Sequence, residues 1–338
     1  MFRSSAPAAL RAALALSLAV ATITTAAGCA SSSSGTGNGG TSGGTKNLEL
    51  IVGTKSDNFY VTMECGAQQE AKALGVDLTV TGPADFTVPE QKPLIDAAIS
   101  TKPDALLVAP TDITALDSDL QRVQSNGTKV VFVDTSSSDN SLGVARITSN
   151  NSQGGQLAAD QLASLIGGKG TVAVVTVKAG TSTTDARVQG FIQEMQTKFP
   201  NIKLLPTQFD DTDSTSVSTS DIEGDVAGNP DLAGVFAANV VTAEGAATAI
   251  QATKMSGKVK VATFDADPTQ MTMLQNGTIQ LAIAQAPSVE GKDAVDQAVN
   301  ALTGKPVTAN ILTPLVAITR SNMNDTNIKP YIYSSSCS

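Results

Sequence analysis

Short apolar runs alternate with longer amphipathic segments along most of the chain. "LELIVGT", "VDLTVTG", "ALLVAP", "KVVFVD" and "GTVAVVTV" read as strands, because each is brief, rich in β-branched residues and bounded by turn formers. Between them, "FYVTMECGAQQEAKALG", "VPEQKPLIDAAIST", "ALDSDLQRVQSNG" and "SQGGQLAADQLASLIG" carry helical periodicity, with Gly75 and Asn126-Gly127 as stops. Strand and helix in strict alternation predict an α/β fold whose parallel sheet is covered by helices on both faces.

The pattern repeats in the second half. "PDALLVAPTDITALDSDLQRVQSNGTKVVFVD" from Pro103 can be laid on "PDLAGVFAANVVTAEGAATAIQATKMSGKVKVATFD" from Pro230. "GTKSDNFYVTMECGAQQEAKALGVDLTV" matches "VKAGTSTTDARVQGFIQEMQTKFPNIKLLPTQ" in the same way. The likeness is of pattern more than identity, and it predicts two similar doubly wound parallel-sheet lobes. Ligands of open parallel sheets bind beyond the carboxyl ends of the strands. The loops after the apolar runs then face one interlobe cleft, with Asp134 and Asp265 at the same topological position on opposite walls.

The N-terminus departs from this plan. Arg3 and Arg11 flank or enter the apolar run "AALALSLAVATITTAAGC", which ends in small residues and is too short and too interrupted for a bilayer span. Residues 1–28 read as a signal peptide. Ala26-Ala27-Gly28-Cys29 resembles a lipobox and makes Cys29 the expected lipidation site, although Ala26 stands where leucine is preferred. The Gly/Ser-rich residues 29–46 then form a flexible tether. Loss of residues 1–28 removes two arginines and no acid, taking the net charge from −9 to −11. A surface so acidic excludes nucleic acid and anionic lipid headgroups as partners.

Histidine is absent, which removes the usual general base, the Ser–His and Cys–His nucleophile pairs and the commonest zinc ligand. "DDTDSTSVSTSD" gathers carboxylates without EF-hand spacing, and "GGKG" at Gly167 lacks the Walker spacing, so no metal and no cofactor is expected. With Cys29 lipidated, Cys65 and Cys337 remain. In an oxidising compartment they are either a disulfide pinning the C-terminal tail to the first lobe, which is favoured, or two free thiols.

Read in order, "FYVTMECGAQQEAKALGV", "ALLVAPTD", "VVFVDT", "ITSNNSQGGQLAA", "TDARVQGF", "VFAAN", "VATFDADP" and "AIAQ" resemble the type I periplasmic sugar-binding proteins, the ribose-binding group that serves ABC importers. The resemblance spans about Asn47 to Arg320. It implies lobes of residues 47–149 plus 286–310 and of 150–285 plus 311–320, with 321–338 as a tail. Crossovers are expected near Ser149–Asn151, Gln285–Pro287 and Asn310–Thr313. It implies a ligand site of Asp57, Phe59, Tyr60, Asp134, Thr135, Asp185, Arg187, Phe209, Asn239, Asp265 and Gln285, in which the aromatics stack on a sugar ring. Asp57 replaces the ribose group's asparagine, while Thr135 and Asp185 replace two arginines. The set becomes rich in acceptors, which suits a ligand with many O–H donors, such as a polyol or a sugar other than ribose, or a cationic ligand.

The implied function is non-enzymatic: a monomeric, extracytoplasmic receptor held to the outer face of the membrane by its lipid, passing a sugar or polyol to an ABC permease. The stretch "GAQQEAKALGVDLTVTGPADFTVPEQ" also resembles the branch that binds the sugar-derived signal autoinducer-2. Two carboxylates facing one cleft leave a glycoside-acting enzyme as a rival of another class. A LacI-type repressor would require a helix-turn-helix where the signal peptide stands.

Overall fold

The computed structural model describes residues 44–337; the expected signal peptide, Cys29 and nearly all of the tether lie outside them. The first lobe runs β1 (Asn47–Ile51), α1 (Asn58–Leu74), β2 (Asp77–Thr81), α2 (Val88–Thr101), β3 (Ala105–Val108), α3 (Asp117–Ser125), β4 (Lys129–Val133) and β5 (Ala145–Ser149). The second begins with α4 (Asn151–Leu165), β6 (Gly170–Val177), α5 (Ser182–Lys198), β7 (Ile202–Leu204), β8 (Gln208–Asp210) and α6 (Thr215–Gly228). It continues through β9 (Leu232–Ala237), α7 (Val240–Ala252), β10 (Lys260–Phe264), α8 (Pro268–Asn276) and β11 (Leu281–Ala284). The chain then returns to the first lobe with α9 (Pro287–Thr303) and β12 (Asn310–Thr313), and to the second with β13 (Val316–Ile318).

The first sheet has the order β12-β5-β4-β3-β1-β2 and is parallel throughout. The second has the order β13-β11-β10-β9-β6-β7, with β8 also on β6 and only β13 antiparallel. Central strands are apolar end to end because helices bury both of their faces: every residue of β3 and β11 is buried. In each sheet the strand order reverses around the lobe's first strand, β1 or β6, so the loops after β1, β3, β6 and β9 open on the crevice where such sheets bind ligands.

Glycines set the matching helix pairs of the two lobes. A Cβ on Gly66 of α1 would stand 2.0 Å from Ser288 O, and one on Gly291 of α9 would stand 2.1 Å from Met63 O. The second lobe repeats this with Gly190 of α5 against Ser152 O at 2.2 Å and Gly155 of α4 against Arg187 O at 2.0 Å. Only a missing side chain lets these backbones approach so closely. The correspondence also fixes register: Tyr60, third in α1, matches Thr184, third in α5.

The chain passes from the first sheet to the second between β5 and α4 and returns between β11 and α9. The third passage lies later than expected. Asn310–Thr313 form β12 and pair with Arg146–Ser149 of β5, so residues 311–313 belong to the first lobe and the chain crosses after Thr313. The short run "NILT" shows strand character locally, but which sheet it joins is decided by pairing with a distant strand.

Candidate functional site

Asp57 caps α1 by accepting the Phe59 N–H at 2.8 Å, as a carboxylate ahead of a helix should. That cap directs Phe59 and Tyr60, both buried, toward the interlobe crevice. Their rings meet edge to face at 5.1 Å between centroids. Tyr60 donates its hydroxyl to Asp134 Oδ2 at 2.7 Å. Asp134 follows β4 with φ 62°, and its N–H donates to Ile147 O of β5 at 2.8 Å. Asp265 follows β10 with φ 78°, and its N–H donates to Ile283 O of β11 at 2.8 Å. The two aspartates therefore share one strained left-handed backbone conformation and one backbone partner pattern, lobe for lobe.

Asp265 Oδ1 accepts from Gln285 Nε2 at 2.6 Å and from the Tyr333 hydroxyl at 2.9 Å. Its Oδ2 lies 3.9 Å from Arg187 Nη1. Arg187 is buried, donates Nε to Asn151 Oδ1 and Nη1 to Ala238 O, and stacks 3.9 Å from the Phe264 ring centroid. A guanidinium held on three sides is a fixed donor rather than a mobile surface charge. Asn239 caps α7 through Thr242 and turns Nδ2 to Asp213 at 3.3 Å. The Thr135 hydroxyl is already donated to Pro110 O at 2.7 Å.

These groups enclose two adjoining chambers. The inner one, about 60 Å³, is lined from both lobes by residues that include Asp57, Phe59, Tyr60, Asp134, Arg187 and Gln285. The outer one, about 440 Å³, shares Asp57, Phe86 and Asp213 with it and opens past Asn58 and Asp267. The lobes touch across the mouth: Asn58 donates to Asp267 at 2.5 Å, Ile113 N–H to Gly180 O at 3.1 Å, and Ser136 N–H to Ser182 Oγ at 3.0 Å. Burial and the neighbouring Asp265 push the Asp57 carboxyl up to about 8, against the Phe59 N–H; part of its surface stays open to the cleft, but protein encloses the carboxyl. Burial raises Asp134 to about 6, where Arg187 and the Tyr60 hydroxyl hold it down. Gln285 Oε1 is buried with no hydrogen-bond partner among the described residues.

Nine of the eleven expected residues gather here; Asp185 and Phe209 do not. Both line a depression on the outside of the second lobe, with Val188, Ile192 and Gln196. On β8 successive side chains alternate, so the fully buried Asp210 turns inward and Phe209 turns out, 47% exposed. On α5 the inward face carries Thr183, Thr184 and Arg187, while Asp185 folds back to accept the Gly180 N–H at 2.9 Å. Asn58, Phe86, Asp213 and Tyr333 escaped the sequence reading. Asp213 lies in the acidic tract that lacks EF-hand spacing, where Asp210 accepts from Thr212 N–H, Ser214 N–H and the Ser218 hydroxyl and so orders the loop.

A model of the periplasmic binding protein domain matches residues 48–306. The chain belongs to that family. Among curated periplasmic binding proteins, the ribose import binding protein RbsB of Bacillus subtilis is 30% identical over 79% of this chain and 85% of its own length. The D-apiose import binding protein of Actinobacillus succinogenes is 28% identical over 74% of this chain and 80% of its own length. Among solved members, an ABC transporter solute-binding protein from Agrobacterium vitis bound to α-D-tagatopyranose superposes with a TM-score of 0.84 at 39% identity, covering 86% of this chain and all of that one. A carbohydrate transporter solute-binding protein from Agrobacterium radiobacter in complex with D-arabinose gives 0.81 at 28% identity, covering 86% of this chain and 100% of its own. The fold is thus shared with both solved proteins.

Proposed function

We propose that this chain is the solute-binding component of an ABC importer and captures a sugar or polyol between its lobes. One observation carries the reading: hydrogen-bonding groups from both lobes converge on the inner chamber, with the buried Asp134 and Gln285 Oε1 as acceptors and Arg187 as donor, beside an Asp57 carboxyl that is raised to about 8 and so can also donate. Hydroxyl-rich ligands need many acceptors and some donors, and the apolar faces of their rings suit Phe59 and Tyr60. The sugars held by the relatives point the same way. A solute that touches both walls favours the closed state, because it makes those contacts only there. The closed form then docks on permease subunits. Cys29, diacylated after cleavage of residues 1–28, holds the protein at the outer face of the membrane through the tether. The same carboxylates act in binding rather than catalysis on this reading, since Asp134 and Asp265 are each engaged by a tyrosine hydroxyl.

The test is a thermal-shift screen of pentoses, hexoses, deoxysugars, polyols and cyclitols, followed by calorimetry and by chromatography of the recovered solute. A saturable rise in melting temperature with solute recovered intact is expected. Turnover of the solute, or no stabilisation by any of these classes, overturns the reading.

A further inference from the structure

The C-terminal tail reaches across both lobes. Tyr333 is 3% exposed, its N–H donates to Ala266 O at 3.1 Å, and its hydroxyl donates to Asp265 Oδ1. The next residue turns to the other lobe: the Ser334 N–H donates to Thr62 Oγ1 of α1 at 2.8 Å, and Cys337 is bonded to Cys65 of the same helix. The Tyr333 ring also packs edge-on against Phe59 at 5.7 Å. The tail residues that make these contacts lie beyond the residues matched by the family model, which end at 306.

The lobes' own helices explain what the tail supplies. In the first lobe the phenol on the wall aspartate comes from α1, through Tyr60 and Asp134. In the second lobe the matching α5 position is Thr184, whose hydroxyl donates to Thr181 O instead. Tyr333 provides the missing phenol from outside the lobe. With Tyr333 on Asp265 Oδ1, the same oxygen takes Gln285 Nε2, and this orients the Gln285 amide. Its Oε1 is then the buried acceptor without a protein partner, on the wall of the inner chamber.

We propose that Tyr333 is a positioning residue of the solute site: by fixing Asp265 and the Gln285 amide, it aims Gln285 Oε1 at a hydroxyl of the bound solute. The proposal rests on the sugar-or-polyol reading above and adds to it the residue that sets one of its acceptors. A buried acceptor with no protein donor discriminates strongly for a ligand that supplies one.

The experiment compares the full chain with Tyr333→Phe and with Cys65→Ser/Cys337→Ser, using D-ribose, D-allose and D-tagatose as probes in calorimetry. The Gln285 side-chain amide is followed by NMR in the free protein, assigned by its absence in Gln285→Glu. Tyr333→Phe is expected to weaken the tightest probe by about tenfold or more and to speed exchange of the Gln285 amide, with little change in the free protein's melting temperature. The double serine variant, which frees the tail, should weaken binding in the same direction. Affinity within about twofold of the parent in both variants, or an unchanged amide, overturns the proposal. Should none of the three sugars bind the parent chain, the sugar reading fails for them, and the amide exchange alone decides the role of Tyr333.

Discussion

Tyr60 donates its hydroxyl to Asp134 Oδ2 at 2.7 Å, deep in the first wall of the cleft. Burial raises the Asp134 carboxyl to about 6, so near neutrality it carries a desolvated charge that Arg187 and Tyr60 offset in part. Asp134→Asn removes that charge at nearly constant shape. The expected result is a loss of solute affinity of about ten- to a hundredfold, since charge-assisted hydrogen bonds become neutral ones. The free protein's melting temperature should hold or rise. A variant that binds as tightly as the parent would remove Asp134 from the site.

A second expectation concerns pH. Glu290 is fully buried at the start of α9, where Oε1 accepts from Ser149 and Thr313, the last residues of β5 and β12. It therefore touches all three interlobe crossovers. Burial and the nearby Asp134 raise it to about 8, against those two hydroxyls, and Oε2 has no partner among the described residues. An acid raised in the folded state binds more protons there than in the unfolded chain. Its stabilising effect is complete below the unfolded value of 4.5 and is lost as pH climbs through about 8. Asp57, also raised to about 8, acts in the same sense. Calorimetric melting of the free protein should show stability falling from pH 5 to pH 8, and Glu290→Gln should flatten that slope. A parent whose stability rises over the same interval would contradict a buried, raised carboxyl at the crossovers.

Cys65 and Cys337 close a loop with a sequence separation of 272. Cross-links over long loops restrict the unfolded chain most, although strain and residual structure often reduce the gain. Removing both thiols as serines is expected to cost about 2–5 kcal/mol, read as a lower denaturation midpoint. In denaturant without reductant the parent should titrate no thiol from this pair, and two thiols would refute the bond.

Asn58 and Asp267 form a clasp across the cleft mouth, from α1 of one lobe to the cap of α8 in the other. Asn58→Ala removes the donor while leaving the inner chamber's own residues in place. Closure should become less favourable by about 1 kcal/mol, which lowers affinity roughly fivefold, and X-ray scattering of the free protein should show a larger mean radius. Equal radii and equal affinity would mean that the clasp forms at no net gain.

How much of this was legible depended on how local each signal is. The predicted helix "VPEQKPLIDAAIST" coincides with α2, because a proline start and an apolar face are written within the segment itself. Asp134 and Asp265 were readable because each ends an apolar run, and the first-loop group of Asp57, Phe59 and Tyr60 stood together on one helix start. Asp185 and Phe209 were misplaced by facing: one step along a strand reverses a side chain, and one step along a helix turns it by about 100°. The assignment of β12 and the insertion of Tyr333 were not readable at all, since both depend on contacts with residues far away in sequence.

The outward pair gives the last expectation. Phe209 and Asp185 share a depression on the far side of β6 and α5, and neither lines either chamber of the cleft. Phe209→Ala should leave solute affinity within about twofold and, because the ring is half exposed, should cost little stability. Asp185→Ala loses the acceptor for the Gly180 N–H, beside the Gly180 O contact from Ile113 across the lobes. Its effect should therefore be confined to a modest change in closure, visible in association rate more than in the solute preferred. If either substitution changed which sugar binds, that residue would have to reach the solute in the closed state, and the facing of β8 or α5 described above would be wrong.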